Sequence, residues 1–589
     1  MSNKGNSTAM WKSIRRLLPK KINASFIQKL IIDEEEIIGS KNIASSLNNH
    51  FVNLAAKRKR SRKFGNNMKR YMSQVQSTFC FKEVSQDDVI NYVNEIPRNK
   101  ATGLDEIPTG ILKDSIEYIV EPITHIINLS LKTGKIPKVW KQARVTPIHK
   151  GGDNTNPSNY RPISVLPVLS KVMEKMVFNQ VYAYLSENNL LTKYQHGFRP
   201  GHSTQTALIS LTDDISKHVD EGYVVAVITL DLEKAFDLIS FDILLKKLTY
   251  FGFDTRVIRW FEDYFHEREQ LTVVNGNRST SKTVQSGVPQ GSILGPLLFI
   301  LTLNDLYKSV SKCSLSLYAD DICLYFAAKD KREMQKVIND DLKSMFNWFS
   351  NNHLLLNIDK CQFMLIGSKG NLRHFEGVNI SIQNTQLRRV SQCKYLGVII
   401  DSHLTWTPQI EEVKKKALKT FHSVKRVRQF LDKRTSFLLY QTLIQSQLDY
   451  CSMLWMNGHV TQLAKLQTLQ NRCFRLILGV DSRFNRETLY RTLEAHTLGE
   501  RRKIQALVII YKLLHNLAPL SLSSRIQLRS PSHYSLRSVN TQIVLPRPRT
   551  NFLRNSALYS ASKLFNKLPI SLRSTNDIKI FTKELKKII

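Results

Sequence analysis

The chain has 589 residues, with 85 Lys+Arg against 49 Asp+Glu and a formal net charge of +36. That length fits several domains of roughly 100–200 residues each. With 42% hydrophobic and 9% aromatic residues, a wholly disordered basic chain is excluded. A cationic surplus of this size points to a polyanionic partner, nucleic acid ahead of an acidic membrane surface. No apolar run approaches the ~18 residues of a spanning helix, so no membrane partner is expected. Seven scattered cysteines without a C-x-x-C pair offer neither a disulfide framework nor zinc spacing, which fits a reducing, intracellular compartment.

Met1–Lys21 is polar and basic and lacks the apolar block of a signal peptide. Residues 1–96 hold 17 Lys+Arg against 8 Asp+Glu and read as a basic helical extension. Its apolar, helix-like pieces are Trp11–Leu18, Ile27–Ile38 and Ile43–Ala56. The run Lys57–Lys63 that follows reads as a solvated surface, a nuclear import signal or a contact for nucleic-acid backbone.

From Pro97 short apolar runs alternate with helical patterns, the texture of an α/β or α+β fold. Tyr223–Leu230 (YVVAVITL) is a buried strand ending at Asp231, and Leu232–Phe241 reads as a turn into helix. Cys313–Leu317 and Ile322–Phe326 are two further strands. Only Tyr318-Ala319-Asp320-Asp321 separates them, which predicts a β-hairpin with carboxylates at its tip. Residues 410–450 and 459–480 alternate apolar and basic positions at helical spacing. The last stretch, 481–589, holds 20 Lys+Arg against 6 Asp+Glu and ends in a basic helix-like segment, Phe581–Ile589.

Aspartates at strand ends suit Mg²⁺, which takes one or two carboxylates plus substrate phosphates. Two such ions about 3.5–4 Å apart can serve an in-line phosphoryl transfer. An Asp-Asp turn is equally an ordinary hairpin tip.

The hairpin is one member of an ordered series. Asn99–Ile107 (NKATGLDEI), Asn159–Ser164 (NYRPIS) and Gln195–Arg199 (QHGFR) with Ser203-Thr204 come first. Asp231–Asp237 (DLEKAFD), Gly287–Pro296 (GVPQGSILGP) and Tyr318–Asp321 (YADD) follow. Asn357–Met364 (NIDKCQFM) and Tyr395-Leu396-Gly397 close the series. Together they resemble the motifs of reverse transcriptases from non-LTR retrotransposons, in particular jockey-like and related LINE-type elements. The resemblance runs from about Pro97 to Gly397 and more loosely to the C-terminus.

That resemblance implies an α+β, right-hand polymerase. Its fingers and palm would span 97–400, the palm an antiparallel sheet backed by helices. A helical thumb would span 401–480 and a basic C-terminal region 481–589. It implies Asp231, Asp320 and Asp321 as a catalytic triad of metal ligands for Mg²⁺, with Mn²⁺ as a substitute. Arg161 would clasp the triphosphate, Gln290 and Gly291 would hold the incoming nucleotide, and Phe236 would sit beneath its sugar and exclude a ribose 2′-OH. Lys360 aligns with a lysine proposed to protonate the leaving pyrophosphate. Arg199 would help with the triphosphate or touch the template, and Tyr395 and Gly397 would steady the primer end. Each has a plainer reading: a surface ion-pair residue for either arginine, a solvated lysine for Lys360, one more aromatic on an amphipathic helix for Phe236.

The implied reaction adds dNTPs to a DNA 3′-OH on an RNA template, primed by nicked target DNA. That implies nuclear action, within a nuclear and cytoplasmic ribonucleoprotein. Full-length relatives carry an N-terminal endonuclease; about 96 residues precede the polymerase here, too few for one, so a longer parent protein or a truncated product is expected. Two alternatives stand beside this reading: a catalytically silent nucleic-acid-binding relic, and another right-hand polymerase such as an intron maturase or telomerase. The intact triad argues against the first, and Tyr-Ala-Asp-Asp with the non-LTR-like tail against the second. The oligomeric state is open.

Overall fold

Five strands form the central sheet of the computed structural model, which describes residues 26–53, 75–529 and 541–589. They are β1 (Val224–Leu230), β2 (Ser314–Tyr318), β3 (Asp321–Ala328), β4 (Gln362–Ile366) and β5 (Arg388–Arg389). Their order across the sheet is β5-β4-β1-β3-β2. β1 pairs antiparallel with β3 and β4, β3 antiparallel with β2, and β4 parallel with β5.

Side chains alternate across a strand, so a sheet covered on both faces reads as a continuous apolar run. Here the alternation sorts residues into two cores. Val224, Ala226 and Ile228 join Leu324, Phe363 and Leu365 in the first, packed by helices Thr109–Thr133, Val168–Glu187, Leu294–Leu303 and Lys331–Asn351. Val225 and Val227 join Cys323, Tyr325, Met364 and Ile366 in the second. Helix Thr204–Asp220 packs on that face, and the core continues through Thr407–Val427, Val460–Leu478, Leu498–Leu514 and Ala557–Phe565. The packing has no break at 97 or 480: Phe79, Val89 and Val93 lie in the first core, Leu507, Ala561 and Phe581 in the second.

A second sheet, also five-stranded but smaller because two of its strands have only two residues each, stands beside the first core. Gln142–His149 pairs antiparallel with Tyr160–Val165 and parallel with Glu269–Val274. Helix Ser40–Asn53 packs Leu47 and Phe51 on its Val145, Tyr160 and Val274. On the same helix, Asn48 donates to the carbonyls of Gln270 (3.3 Å) and Thr280 (2.9 Å).

The helix expected over Ile27–Ile38 is instead a β-hairpin, Lys29–Ile32 against Glu35–Ile38. Asp33 (φ +51°) and Glu34 (φ +69°) both adopt the left-handed conformation, as a two-residue hairpin turn requires. Among the described residues of the expected helical extension, only Ser40–Asn53 and Gln86–Glu95 are helical. Trp11–Leu18 and the basic runs Met1–Lys21 and Lys57–Lys63 lie outside the described residues. Among the described residues no helix is long and apolar enough to cross a membrane.

Candidate active site

Strand register brings the carboxylates together. Ile322 of β3 faces Leu230 of β1, so Asp321 and Asp231 follow at the same sheet edge. Asp321 also pairs with Tyr318, leaving Ala319 and Asp320 as a two-residue turn with Ala319 at φ +54°. The chain after β1 is stitched to residues 355–357: the Asp231 carbonyl accepts from the Asn357 N–H (2.9 Å), and the Glu233 N–H donates to Leu355 O (2.9 Å). Helix begins only at Phe241, so most of Leu232–Phe241 is turn.

Burial, then the charges of Asp320 and Asp231, push the Asp321 carboxyl up to about 6. The Lys360 Nζ lies 3.6 Å from Asp231 Oδ2, with both side chains substantially exposed. Asp231, Asp321, Lys360, Arg388, Lys394 and Tyr395 line a hollow of about 430 Å³. Among the described residues no three His, Cys, Asp or Glu side chains form a group that could hold a metal ion. The triad is therefore no ready-made cage. Its donors still fit Mg²⁺ in kind: hard carboxylate oxygens whose mutual repulsion a cation would relieve, with phosphates completing the shell.

A second group of charges faces the first from the smaller sheet. Lys150 follows strand Gln142–His149, and its N–H donates to Asn159 O (2.8 Å). Burial lowers its pKa, as do the neighbouring Arg161 and Lys360, while Asp237 and Asp231 oppose them. Those five charges thus share one neighbourhood. Burial raises the Asp237 carboxyl, against a 2.8 Å hydrogen bond from Gln290 Nε2 and the cations Lys234, Lys150 and Arg161. Sequence reasoning missed Lys150 and gave Asp237 no role. Nothing around Lys150 marks it, whereas Asp237 closes the quoted DLEKAFD segment.

Gln290 is tied in place from both ends, since its carbonyl also accepts the Ser164 N–H at 2.7 Å. Gly291 has φ +130°, and a Cβ there would lie 2.2 Å from Ser164 O, so only glycine fits. Phe236 is half-buried and stacked on Phe299 at 4.2 Å, with Phe198 edge-on at 6.1 Å, which fixes its ring.

Arg199 is expected to touch the triphosphate or the template, and in the fold it also serves its own loop. Its Nη1 donates to the carbonyls of Thr192 (2.7 Å) and Gln195 (3.1 Å), holding its own loop. That loop braces the carboxylate hairpin, a role the sequence did not disclose. Gln195 Oε1 accepts from the N–H groups of Gly197 (2.8 Å) and Ala319 (2.9 Å), and the His196 N–H donates to Leu317 O at 2.8 Å. A Cβ on Gly197 would meet Ala319 N at 2.4 Å.

Tyr395 is buried, its hydroxyl donating to Ser316 O of β2 at 3.1 Å. Leu396 (φ +46°) and Gly397 (φ +80°) turn the hairpin between Gln392–Tyr395 and Val398–Asp401. The Leu396 carbonyl accepts from the Tyr450 hydroxyl at 2.8 Å. The Tyr-Leu-Gly turn is thus anchored both to β2 and to the helical region beyond it.

Residues 148–400 match the family model described as reverse transcriptase (RNA-dependent DNA polymerase). The chain is 27% identical over 443 residues to a probable RNA-directed DNA polymerase from transposon BS of Drosophila melanogaster, covering 72% of this chain and 48% of that protein. It is 25% identical over 468 residues to the RNA-directed DNA polymerase from mobile element jockey of the same species, covering 77% and 50%. A probable RNA-directed DNA polymerase from transposon X-element, also of Drosophila melanogaster, is 26% identical over 414 residues, covering 68% and 44%. The chain spans about half the length of these curated relatives.

Proposed function

We propose that residues 148–400 form a reverse transcriptase domain of the non-LTR, LINE-type kind and that this chain is an RNA-directed DNA polymerase. It adds dNTPs to a DNA 3′-OH on an RNA template, in target-primed reverse transcription with nicked target DNA as primer. The observation that carries this reading is the meeting of Asp231 with Asp320 and Asp321, faced by Lys150, Arg161 and Lys360.

In this reading the five-stranded sheet is the palm, 97–400 contains fingers and palm, and the helices of 401–480 are the thumb. Asp231, Asp320 and Asp321 would hold Mg²⁺, or Mn²⁺ as a substitute. Such ions, when bound, supply Lewis-acid polarisation and charge neutralisation for an in-line displacement. Arg161 and Lys150 clasp the triphosphate, for which a guanidinium fork is suited. Phe236, held by Phe299, presents a rigid ring under the sugar and favours deoxynucleotides. Gln290 and Gly291 shape the nucleotide pocket through Asp237 and Ser164. Lys360, beside Asp231, would protonate the leaving pyrophosphate. Tyr395 and Gly397 fix the turn beside the primer end, and Arg199 acts through the loop that carries Gln195. Catalysis is then mainly positioning and electrostatic stabilisation. The chain would work in the nucleus on target DNA and travel as a ribonucleoprotein through the cytoplasm.

Primer extension on poly(A)/oligo(dT) with Mg²⁺ and dTTP tests the reading. Incorporation by the wild type and none by Asp320→Ala is expected. No incorporation by the wild type, or equal incorporation by the variant, contradicts it.

A further inference from the structure

A second cleft, of about 690 Å³, opens far along the chain from the carboxylates, among the helices that cover the second core. The first turns of three helices, Val460–Leu478, Leu498–Leu514 and Ala557–Phe565, contribute to its wall. Five cations line it: Arg502, Lys503, Arg554, Lys563 and Lys567. Among the described residues no aspartate or glutamate does. Glu500, in the first turn of Leu498–Leu514, is turned back to cap that helix through the Thr497 N–H at 2.8 Å.

Arg502 is the unusual member. It is 6% exposed, yet its Nε and Nη2 have no hydrogen-bond partner. Its guanidinium lies over the Trp455 ring at 4.6 Å. Asp449, the carboxylate whose charge it feels, is instead bonded to Arg501 at 2.5 Å. A buried guanidinium with unmatched donors costs free energy until an acceptor approaches. The four other cations are exposed around it. Helix N-terminal turns add further positive potential. Half-buried Tyr559 and the apolar side chains of Leu463 and Leu564 complete the wall.

We infer that this cleft binds the phosphodiester backbone of an unpaired nucleic-acid strand, with Arg502 at its base, the four exposed cations on its rim and Tyr559 as a stacking surface. A rim of cations with an aromatic between them is the usual construction for single strands. The volume holds a short unpaired stretch rather than a duplex. The site is separate from the polymerase cleft and does not depend on the polymerase reading.

The test uses the full chain, with an excess of unlabelled primer–template duplex to fill any duplex-binding cleft. Binding of fluorescein-labelled single-stranded RNA or DNA 15-mers is followed by anisotropy across a salt series. Lys563→Glu/Lys567→Glu changes two exposed side chains. It is expected to weaken binding about tenfold or more and to reduce the salt slope by about 2. Gly499→Glu is the second probe. A Cβ there meets nothing closer than 3.9 Å, and an acid suits a helix first turn, so the variant folds while placing a carboxylate in the cleft. It too should lose binding, and ultraviolet crosslinks should map to residues 554–567. Equal losses for RNA and DNA identify the shared backbone as the ligand; a loss confined to one identifies that strand as the source. Wild-type affinity and salt slope in both variants, or crosslinks only elsewhere, overturn the inference.

Discussion

The two clefts arrange charge in opposite ways. Around β1 and β3, carboxylates and cations interleave: Asp231, Asp237, Asp320 and Asp321 against Lys150, Arg161 and Lys360. Between the C-terminal helices five cations line a wall to which, among the described residues, no carboxylate contributes. A mixed site can be completed only by a ligand set that is itself mixed, such as a cation with a polyphosphate. A purely cationic wall is completed by anions alone. The net charge of +36 is therefore not one reservoir. Five cations line the basic cleft, whereas around β1 and β3 the named carboxylates outnumber the cations beside them.

Variants can pull the two regions apart. The largest expected effect is at Arg525, which ties the C-terminal segment to helix Thr204–Asp220. Its guanidinium lies 2.7 Å from Asp214 and 3.5 Å from Asp213, on the helix behind the sheet, and donates to Ser210 Oγ at 2.9 Å. Arg525→Ala leaves Asp214 without its cation while Asp213 keeps Lys217 at 2.9 Å, and should cost about 3 kcal/mol, read by denaturant unfolding. A loss below about 1 kcal/mol would show that the C-terminal segment is not anchored there.

Gly197→Ala should act on one region alone. Its Cβ would press on Ala319 N, so overpacking of about 1–3 kcal/mol is expected at the carboxylate hairpin. Incorporation should fall while single-strand binding in the basic cleft stays intact; parallel loss of both would deny their independence.

A smaller effect concerns pH. Asp321 is raised in the folded chain to about 6, so folding favours its protonated form. The associated stability is complete below the unfolded carboxylate value and is lost as pH rises through about 6. Melting temperatures in EDTA should therefore decline more steeply between about pH 4 and 6 for the wild type than for Asp321→Asn. Identical profiles would contradict the crowding of the three carboxylates.

Phe236→Ala should lower stability by about 1–3 kcal/mol through the lost stack on Phe299, with the fold retained, and weaken selection against ribonucleotides by about tenfold or more. Unchanged dNTP/rNTP ratios in competition assays would remove its gating role.

Local signals made part of this legible. The run VVAVITL and the gap between two apolar strands each belong to one continuous segment, and the strands form within a residue or two of the expected ends; the helical spacing of 410–450 is divided among Thr407–Val427, Lys433–Leu439 and Ser446–Asp449. Ile27–Ile38 misled because its apolar residues fit either period, and the choice is made by left-handed Asp33 and Glu34. The site divides in the same way. Asp231 and Asp320 announce themselves by position at strand ends. Lys150 acquires meaning only through strand pairing, which sets it near Arg161 and Asp237. Arg199 looked available for a phosphate, and the fold also places the carbonyls of Thr192 and Gln195 within its reach. Pairings over long sequence separations carry no periodic signal, and the basic cleft, drawn from residues 456–567, is the extreme case.

Whether chemistry resides at the end of β1 is decided by Asp231→Asn. This substitution keeps the side-chain shape and the backbone contact to Asn357. Single-turnover dNTP addition to a DNA primer on an RNA template should fall by about 10²–10³-fold or more, with primer–template affinity unchanged. Addition at the wild-type rate would contradict the account.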